Sequence, residues 1–276
     1  MKLKQLFHLL GFRPSAKTYG HAVESIELPK DGRVDYARWL HPRVRPLELT
    51  QAEVDGLRGF IGEGDFAIDI GAHSGDTTVP IALACGASGL VLALEPNPYA
   101  YKVLEKNAAL NLGKTAIRPL SYAATSEDGP LEFRYADEGF CNGGEATTAE
   151  GWRRGAAFVL KVEGRNLEKI LRADYAARLP RLRYLKVDVE GHDLDVLRSL
   201  ENVIAERKPY VRAEVIRYLD RDTRHAMFEF FARLGYTLHR RDGETLRGPL
   251  IADAAAMERR ETFDVFAVPG KVNSVV

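Results

Sequence analysis

Cysteine is almost missing from this chain: Cys85 and Cys141 are the two present among 276 residues. Two thiols build neither a disulfide framework nor a cysteine-based metal centre, and a reducing, cytoplasmic setting is expected. Long apolar runs are missing too. No stretch approaches the ~20 residues that span a bilayer, and the leucine-rich start, Met1 to Leu10, is interrupted by Gln5 and His8. Neither a transmembrane segment nor a secretory signal is expected, although Leu3, Leu6, Phe7 and Leu10 fall at the spacing of a short amphipathic helix. An excess of either charge is also lacking, because 39 basic residues balance 39 acidic ones. No net field draws the chain to nucleic acid, and no nucleic-acid partner is expected. Finally, a glycine is missing. Gly71 and Gly75 are four apart with His73 between them, whereas a dinucleotide fingerprint needs glycine at that middle position so that backbone can approach a pyrophosphate. A nucleoside ligand without a diphosphate fits better than a nicotinamide or flavin dinucleotide.

What is present suffices for a full core, since hydrophobic residues make up 45% of the chain. Residues 12 to 50 carry Pro14, Pro29, Pro42 and Pro46 and read as an irregular leader. The expected division is a leader over 1–49 and one domain over 50–276. Thr50 with Glu53 three residues on predicts a capped helix, with Val54, Leu57 and Ile61 as its apolar face. Strands are expected over 66–70, 89–95, 115–122, 131–135, 157–162, 184–188 and 210–216, with helices over 75–85, 99–111, 194–200 and 223–234. Strand and helix alternating at this pitch predicts a parallel sheet covered on both faces. Runs 236–240 and 262–268 have no helical crossover between them and should pair antiparallel at the end of the sheet. The Gly-rich loop 136–155 has the composition of an acceptor loop or lid.

Ligands of an open parallel sheet lie beyond the carboxyl ends of its strands, and charge recurs there. Asp69 is the one charge in the apolar run 66–70; it either caps the turn or holds pocket amides or a ligand ammonium. His73 either lines the turn or touches the ligand. Glu95 ends the second strand, placed to accept both ribose hydroxyls of a nucleoside, and Pro96 stiffens the turn after it. Asp188, Glu190 and His192 form the tightest ionisable cluster, around Gly191, and are the expected catalytic group: two carboxylates and an imidazole can bind a hydroxyl and take its proton. The alternative is that Asp188 caps a helix and the other two are solvated. A metal site would need further oxygen ligands that the sequence does not place, so none is expected. Glu214, in the fifth main strand, and Asn142, in the loop 136–155, are the residues expected to contact the substrate.

The segments Asp69-Ile-Gly-Ala-His-Ser-Gly75, Leu94-Glu-Pro-Asn97 and Leu185-Lys-Val-Asp-Val-Glu-Gly-His-Asp-Leu194 together resemble the FkbM-type methyltransferases, a branch of the class I S-adenosylmethionine-dependent enzymes. The likeness runs from about Gly64 to Val268, and the third segment is its most specific part. It implies a Rossmann-like α/β fold with a seven-stranded, mostly parallel sheet, an antiparallel C-terminal strand and helices on both faces. It also implies S-adenosyl-L-methionine as cofactor. By the same resemblance the turn of Asp69, Gly71, Ala72, His73, Ser74 and Gly75 surrounds the methionine moiety, Glu95 and Pro96 take the ribose, Ala123 lies near the adenine and Asp188 borders the cofactor. Tyr122-Ala-Ala124 lacks the carboxylate that many class I enzymes carry there, so adenine recognition falls to backbone and packing. The expected activity is O-methylation of a hydroxyl on a saccharide or glycosylated natural product. Two alternatives are methylation of a small non-sugar metabolite and a non-catalytic cofactor-binding partner protein. A homodimer is compatible with the sequence.

Overall fold

The computed structural model describes residues 16–135, 139–140, 145–146, 158–243 and 245–270. The expected N-terminal helix and Asn142, with most of the loop 136–155, lie outside the described residues. In chain order the strands and helices are β1 (His21–Leu28), β2 (Gly32–Trp39), α1 (Gln51–Arg58), β3 (Phe66–Ile70), α2 (Thr78–Cys85), β4 (Leu90–Leu94), α3 (Pro98–Ala108), β5 (Ile117–Leu120), β6 (Ala123–Thr125), β7 (Gly129–Tyr135), β8 (Glu145–Ala146) and β9 (Phe158–Asn166). There follow α4 (Leu167–Asp174), β10 (Leu182–Val187), α5 (Asp193–Ser199), α6 (Glu201–Arg207), β11 (Tyr210–Val215), α7 (Arg221–Arg233), β12 (Tyr236–Arg240), β13 (Leu250–Ile251) and β14 (Phe263–Pro269).

Phe66–Ile70 is buried at every position because β3 is central, flanked in parallel by β4 and β10 with both of its faces covered. The sheet order is β13-β12-β14-β11-β10-β3-β4-β5, and β14 runs antiparallel between β11 and β12. This is the class I Rossmann-like arrangement, with the short β13 added at the edge. Phe66, Ile68 and Ile70 face a core shared with Leu167 and Leu171 of α4, Leu194 and Leu197 of α5, and Met227 and Phe231 of α7. On the opposite face Ala67 and Val91 meet Leu57 of α1 and Ile81 and Ala82 of α2. The helix α2 is apolar on all sides because Val79 and Leu83 are covered in turn by Leu28, Val34 and Tyr36 of the first two strands. The expected cap on α1 forms: Thr50 Oγ1 accepts from the Glu53 N–H at 3.1 Å.

Three features differ from the sequence reading. The expected irregular leader contains an antiparallel hairpin, β1–β2, paired from His21↔Trp39 to Leu28↔Gly32. Its alternation is masked by the prolines at either side, Pro29 in the turn and Pro42 and Pro46 beyond it. The extra strands leave the main sheet: β6, β9, β7 and β8 form a second, four-stranded sheet. The helices α4 and α6 were not expected; α4 follows β9 directly and is capped by Asn166, whose side chain accepts from the Lys169 N–H at 2.9 Å. Among the described residues no helix is long and apolar enough to cross a membrane.

Candidate active site

At its carboxyl end β3 turns out of the sheet at Gly71, where φ is +79° and an added Cβ would stand 1.9 Å from the Asp188 carbonyl oxygen. Only glycine lets the chain leaving β3 pass so close to the chain leaving β10. His73 also occupies the left-handed region, at φ +48°, and this aims its N–H at Glu95 Oε2, 2.8 Å away. The Asn97 N–H donates to Glu95 Oε1, also at 2.8 Å. Two amides therefore fix the carboxylate at the end of β4. Burial pushes the Glu95 carboxyl up, while the His73 side chain and the two N–H groups pull it back.

Asp69 has a different role from the expected one. Its side chain is fully buried, with Oδ2 accepting from Thr77 Oγ1 at 2.8 Å and Thr78 Oγ1 at 2.7 Å, and Oδ1 lying 3.1 Å from Lys186 Nζ. Lys186 is itself buried in β10, directly across from Asp69 in register. Its ammonium also donates to the Gly71 carbonyl at 3.1 Å and lies 3.4 Å from Asp188 Oδ2. Burial disfavours the charged amine, but the Asp69 and Asp188 carboxylates outweigh it and hold the proton on. One ammonium thus ties the end of β3, the glycine turn and Asp188 together.

After β10 the chain makes a tight loop, with Glu190 at φ +55° and Gly191 at φ +101°. Asp193 organises it. Fully buried, it accepts from the N–H groups of Val189 at 3.4 Å, Gly191 at 3.3 Å and Glu214 at 3.0 Å. Burial and then the Asp188 charge push its carboxyl up to about 8, against those three hydrogen bonds. Glu214 is half-buried; burial, followed by the charges of Asp188, Glu190, Asp193 and Asp264, raises its carboxyl to about 8 as well. His192 is 40% exposed at the start of α5, with Nδ1 3.8 Å from Asp195 Oδ2.

These pieces border one cavity of about 600 Å³. Of the residues expected from sequence, Gly71, His73, Glu95, Pro96, Ala123, Asp188, Glu190 and His192 line it. Asp69, Ala72, Ser74 and Gly75 do not: Asp69 is consumed by Lys186 and two hydroxyls, Ala72 and Ser74 are buried behind the turn, and a Cβ at Gly75 would meet Leu104 of α3. Glu214 also stays outside the lining, behind the 188–193 loop. The sequence reading missed the wall contributed by the second sheet: Tyr122 beside β6, and Leu131, Phe133 and Tyr135 along β7. It also missed Asp195 and Arg198 of α5. The structural roles of Lys186 and Asp193 were within reach, since Lys186 is the one charge inside its own buried run, as Asp69 is in β3.

A nucleoside cofactor fits this donor set. The cavity volume is in the range of small-molecule sites. Each Glu95 oxygen uses one lone pair on an amide and keeps capacity for a ribose hydroxyl. The buried Tyr122 hydroxyl, also on the lining, has no hydrogen-bond partner among the described residues. Among those residues no group of three or more His, Cys, Asp or Glu is arranged to hold a metal ion.

The sequence matches the model of the methyltransferase FkbM domain over residues 69–238. It is 28% identical over 162 residues to the hexuronic acid methyltransferase AglP of Haloferax volcanii, covering 59% of this chain and 61% of that one. It is 31% identical over 134 residues to the methyltransferase sdnD of Sordaria araneosa, covering 40% of this chain and 51% of that one. The matched segments thus span less than two thirds of either relative. Among solved structures, the methyltransferase FkbM of Methylobacillus flagellatus superposes with a TM-score of 0.43 at 12% identity, over 74% of this chain and 43% of that one. Aeropyrum pernix fibrillarin, solved with S-adenosyl-L-methionine, gives 0.41 at 13% identity over 92% and 99%. With more than half of its length on the family model, the chain belongs to the FkbM methyltransferase domain family.

Proposed function

We propose that the chain is an S-adenosylmethionine-dependent O-methyltransferase acting on a hydroxyl of a saccharide or glycosylated natural product. The observation that carries this reading is that one cavity has the amide-fixed Glu95 on one side and Asp188, Glu190 and His192 on another. A nucleoside anchor and a proton-accepting cluster then meet around a single reaction space. The hexuronic acid methyltransferase named among the relatives supports a sugar acceptor.

The cofactor, when bound, supplies a methyl group on a sulfonium for direct displacement by an acceptor oxygen. Glu95 would take the ribose hydroxyls, with Gly71 and His73 beside the methionine moiety and Ala123 beside the adenine. The apolar side chains of Leu131 and Phe133 exclude water and leave room for the ring face of an acceptor. Holding the acceptor in line can contribute roughly 7 to 11 kcal/mol in favourable cases. A sugar hydroxyl is a weak nucleophile at neutral pH, so general-base assistance worth ~10²- to 10⁴-fold is called for. In this reading Asp188, pinned by Lys186, orients the hydroxyl. His192, beside Asp195 at the cavity edge, takes its proton.

Calorimetric titration of S-adenosylmethionine and S-adenosylhomocysteine into wild type and Glu95→Ala tests the cofactor half. Binding that weakens at least tenfold in the variant, about 1.4 kcal/mol, is expected. A panel of uronic acid, neutral sugar and non-sugar hydroxyl acceptors, read as S-adenosylhomocysteine release, tests the other half. Turnover confined to non-sugar acceptors would overturn the saccharide assignment.

A further inference from the structure

The hairpin β1–β2 lies ahead of the segment that matches the family, which begins at Asp69, yet it is bonded to the glycine turn. Asn107 of α3, fully buried, accepts from the Ala37 N–H at 2.7 Å and donates to the Ala37 carbonyl at 2.9 Å. Its amide nitrogen also donates to the Ser74 carbonyl at 2.7 Å. Both N–H bonds of one side-chain amide are thereby used to join β2 to the turn. The Tyr36 hydroxyl adds a contact at 3.4 Å to Ser74 Oγ. Next to it the buried Trp39 ring packs on the His73 ring, centroids 5.4 Å apart and tilted by 54°. His73 is a non-glycine residue in the left-handed region, a conformation that persists only where the surroundings over-determine it. Here the surroundings are the hairpin, and the N–H that this conformation aims is the one donated to Glu95.

We infer that Trp39 and Asn107 are positioning residues for the cofactor: the hairpin clamps the 71–75 turn and, through His73, sets the Glu95 carboxylate. The inference rests on the cofactor reading proposed above. It makes an element outside the matched family segment part of the cofactor site. Removing the indole or the amide lets the turn relax from its strained state and withdraws the His73 N–H from Glu95. The wall along β7, in the second sheet, is left as it was.

The test is calorimetric titration of S-adenosylhomocysteine into wild type, Trp39→Leu, Trp39→Phe, Asn107→Leu and Val34→Ala, with melting temperatures recorded for each. Val34 is buried in the same hairpin, in the cluster of Leu49, Val54 and Leu83. It reports what loss of hairpin packing alone does. Weakening by about tenfold or more is expected in Trp39→Leu and Asn107→Leu, with partial recovery in Trp39→Phe and wild-type affinity in Val34→Ala at comparable loss of melting temperature. Unchanged affinity in both turn-side variants, or equal weakening in Val34→Ala, would overturn the inference. A wild type that does not bind would instead overturn the cofactor reading beneath it. Should Trp39→Leu not fold, Trp39→Phe and Asn107→Asp carry the same comparison.

Discussion

Lys186 and Asp69 show how two isolated charges can be read together. Each is the one charged residue inside a buried run, Phe66–Ile70 of β3 and Tyr184–Val187 of β10, and the parallel register of the two strands sets them side by side. A buried charge survives only with a partner, so opposite signs in adjacent central strands imply a pair. Lys186→Met should therefore cost about 3–5 kcal/mol in urea denaturation, because it leaves Asp69 buried beside hydroxyls alone. A loss under about 1 kcal/mol would mean that Asp69 takes a proton and tolerates the change. Glu214 makes the opposite kind of prediction. With its carboxyl raised to about 8, the folded state binds this proton more tightly than the unfolded chain does. Stability is then lost as pH rises from the ordinary carboxylate range towards 8. Glu214→Gln removes that titration, so the fall in melting temperature between pH 5.5 and 8.5 should be shallower than in wild type. Asp193 titrates in the same range and keeps part of the slope. An unchanged slope would show that Glu214 is relieved by solvent.

At the level of elements, what was legible in the sequence follows from how each element is stabilised. The runs Phe66–Ile70, Leu90–Leu94 and Tyr184–Val187 are covered on both faces, so they appear as short, mostly apolar segments bounded by turns. The antiparallel pairing of β12 with β14 was legible because no α-helical crossover joins them. The hairpin was not, since β1 alternates between exposed and half-buried positions and carries Glu24 and Glu27. The second sheet escaped for a related reason. Its strands pair over distances that no local pattern encodes, as between Gly129 and Gly164. The site divides in the same way. Glu95, Asp188, Glu190 and His192 end central strands or follow them directly, so their place at the cavity was legible. Tyr122, Phe133 and Tyr135 face the cavity from beside or within that second sheet and were not legible.

Across the whole molecule, the parts that border the cavity are joined through shared interior. Trp39 of the hairpin packs with Ala100 and Val103 of α3. Ala124 of β6 belongs to the same buried cluster as Phe66 of the main sheet and Phe231 of α7. Hairpin, main sheet and second sheet should then unfold together, and a ligand held among them should stabilise all of them at once. For a ligand that binds only the folded state, a concentration of one hundred times Kd adds about 2.7 kcal/mol. At roughly 2–4 °C per kcal/mol for a domain approaching this size, saturating S-adenosylhomocysteine should raise a single melting transition by roughly 5–10 °C. Scanning calorimetry with and without the ligand checks this. Two transitions, of which one moves and the other stays, would show that the elements around the cavity fold as separate units, and the hairpin clamp on the cofactor turn would then have to act without shared cooperativity.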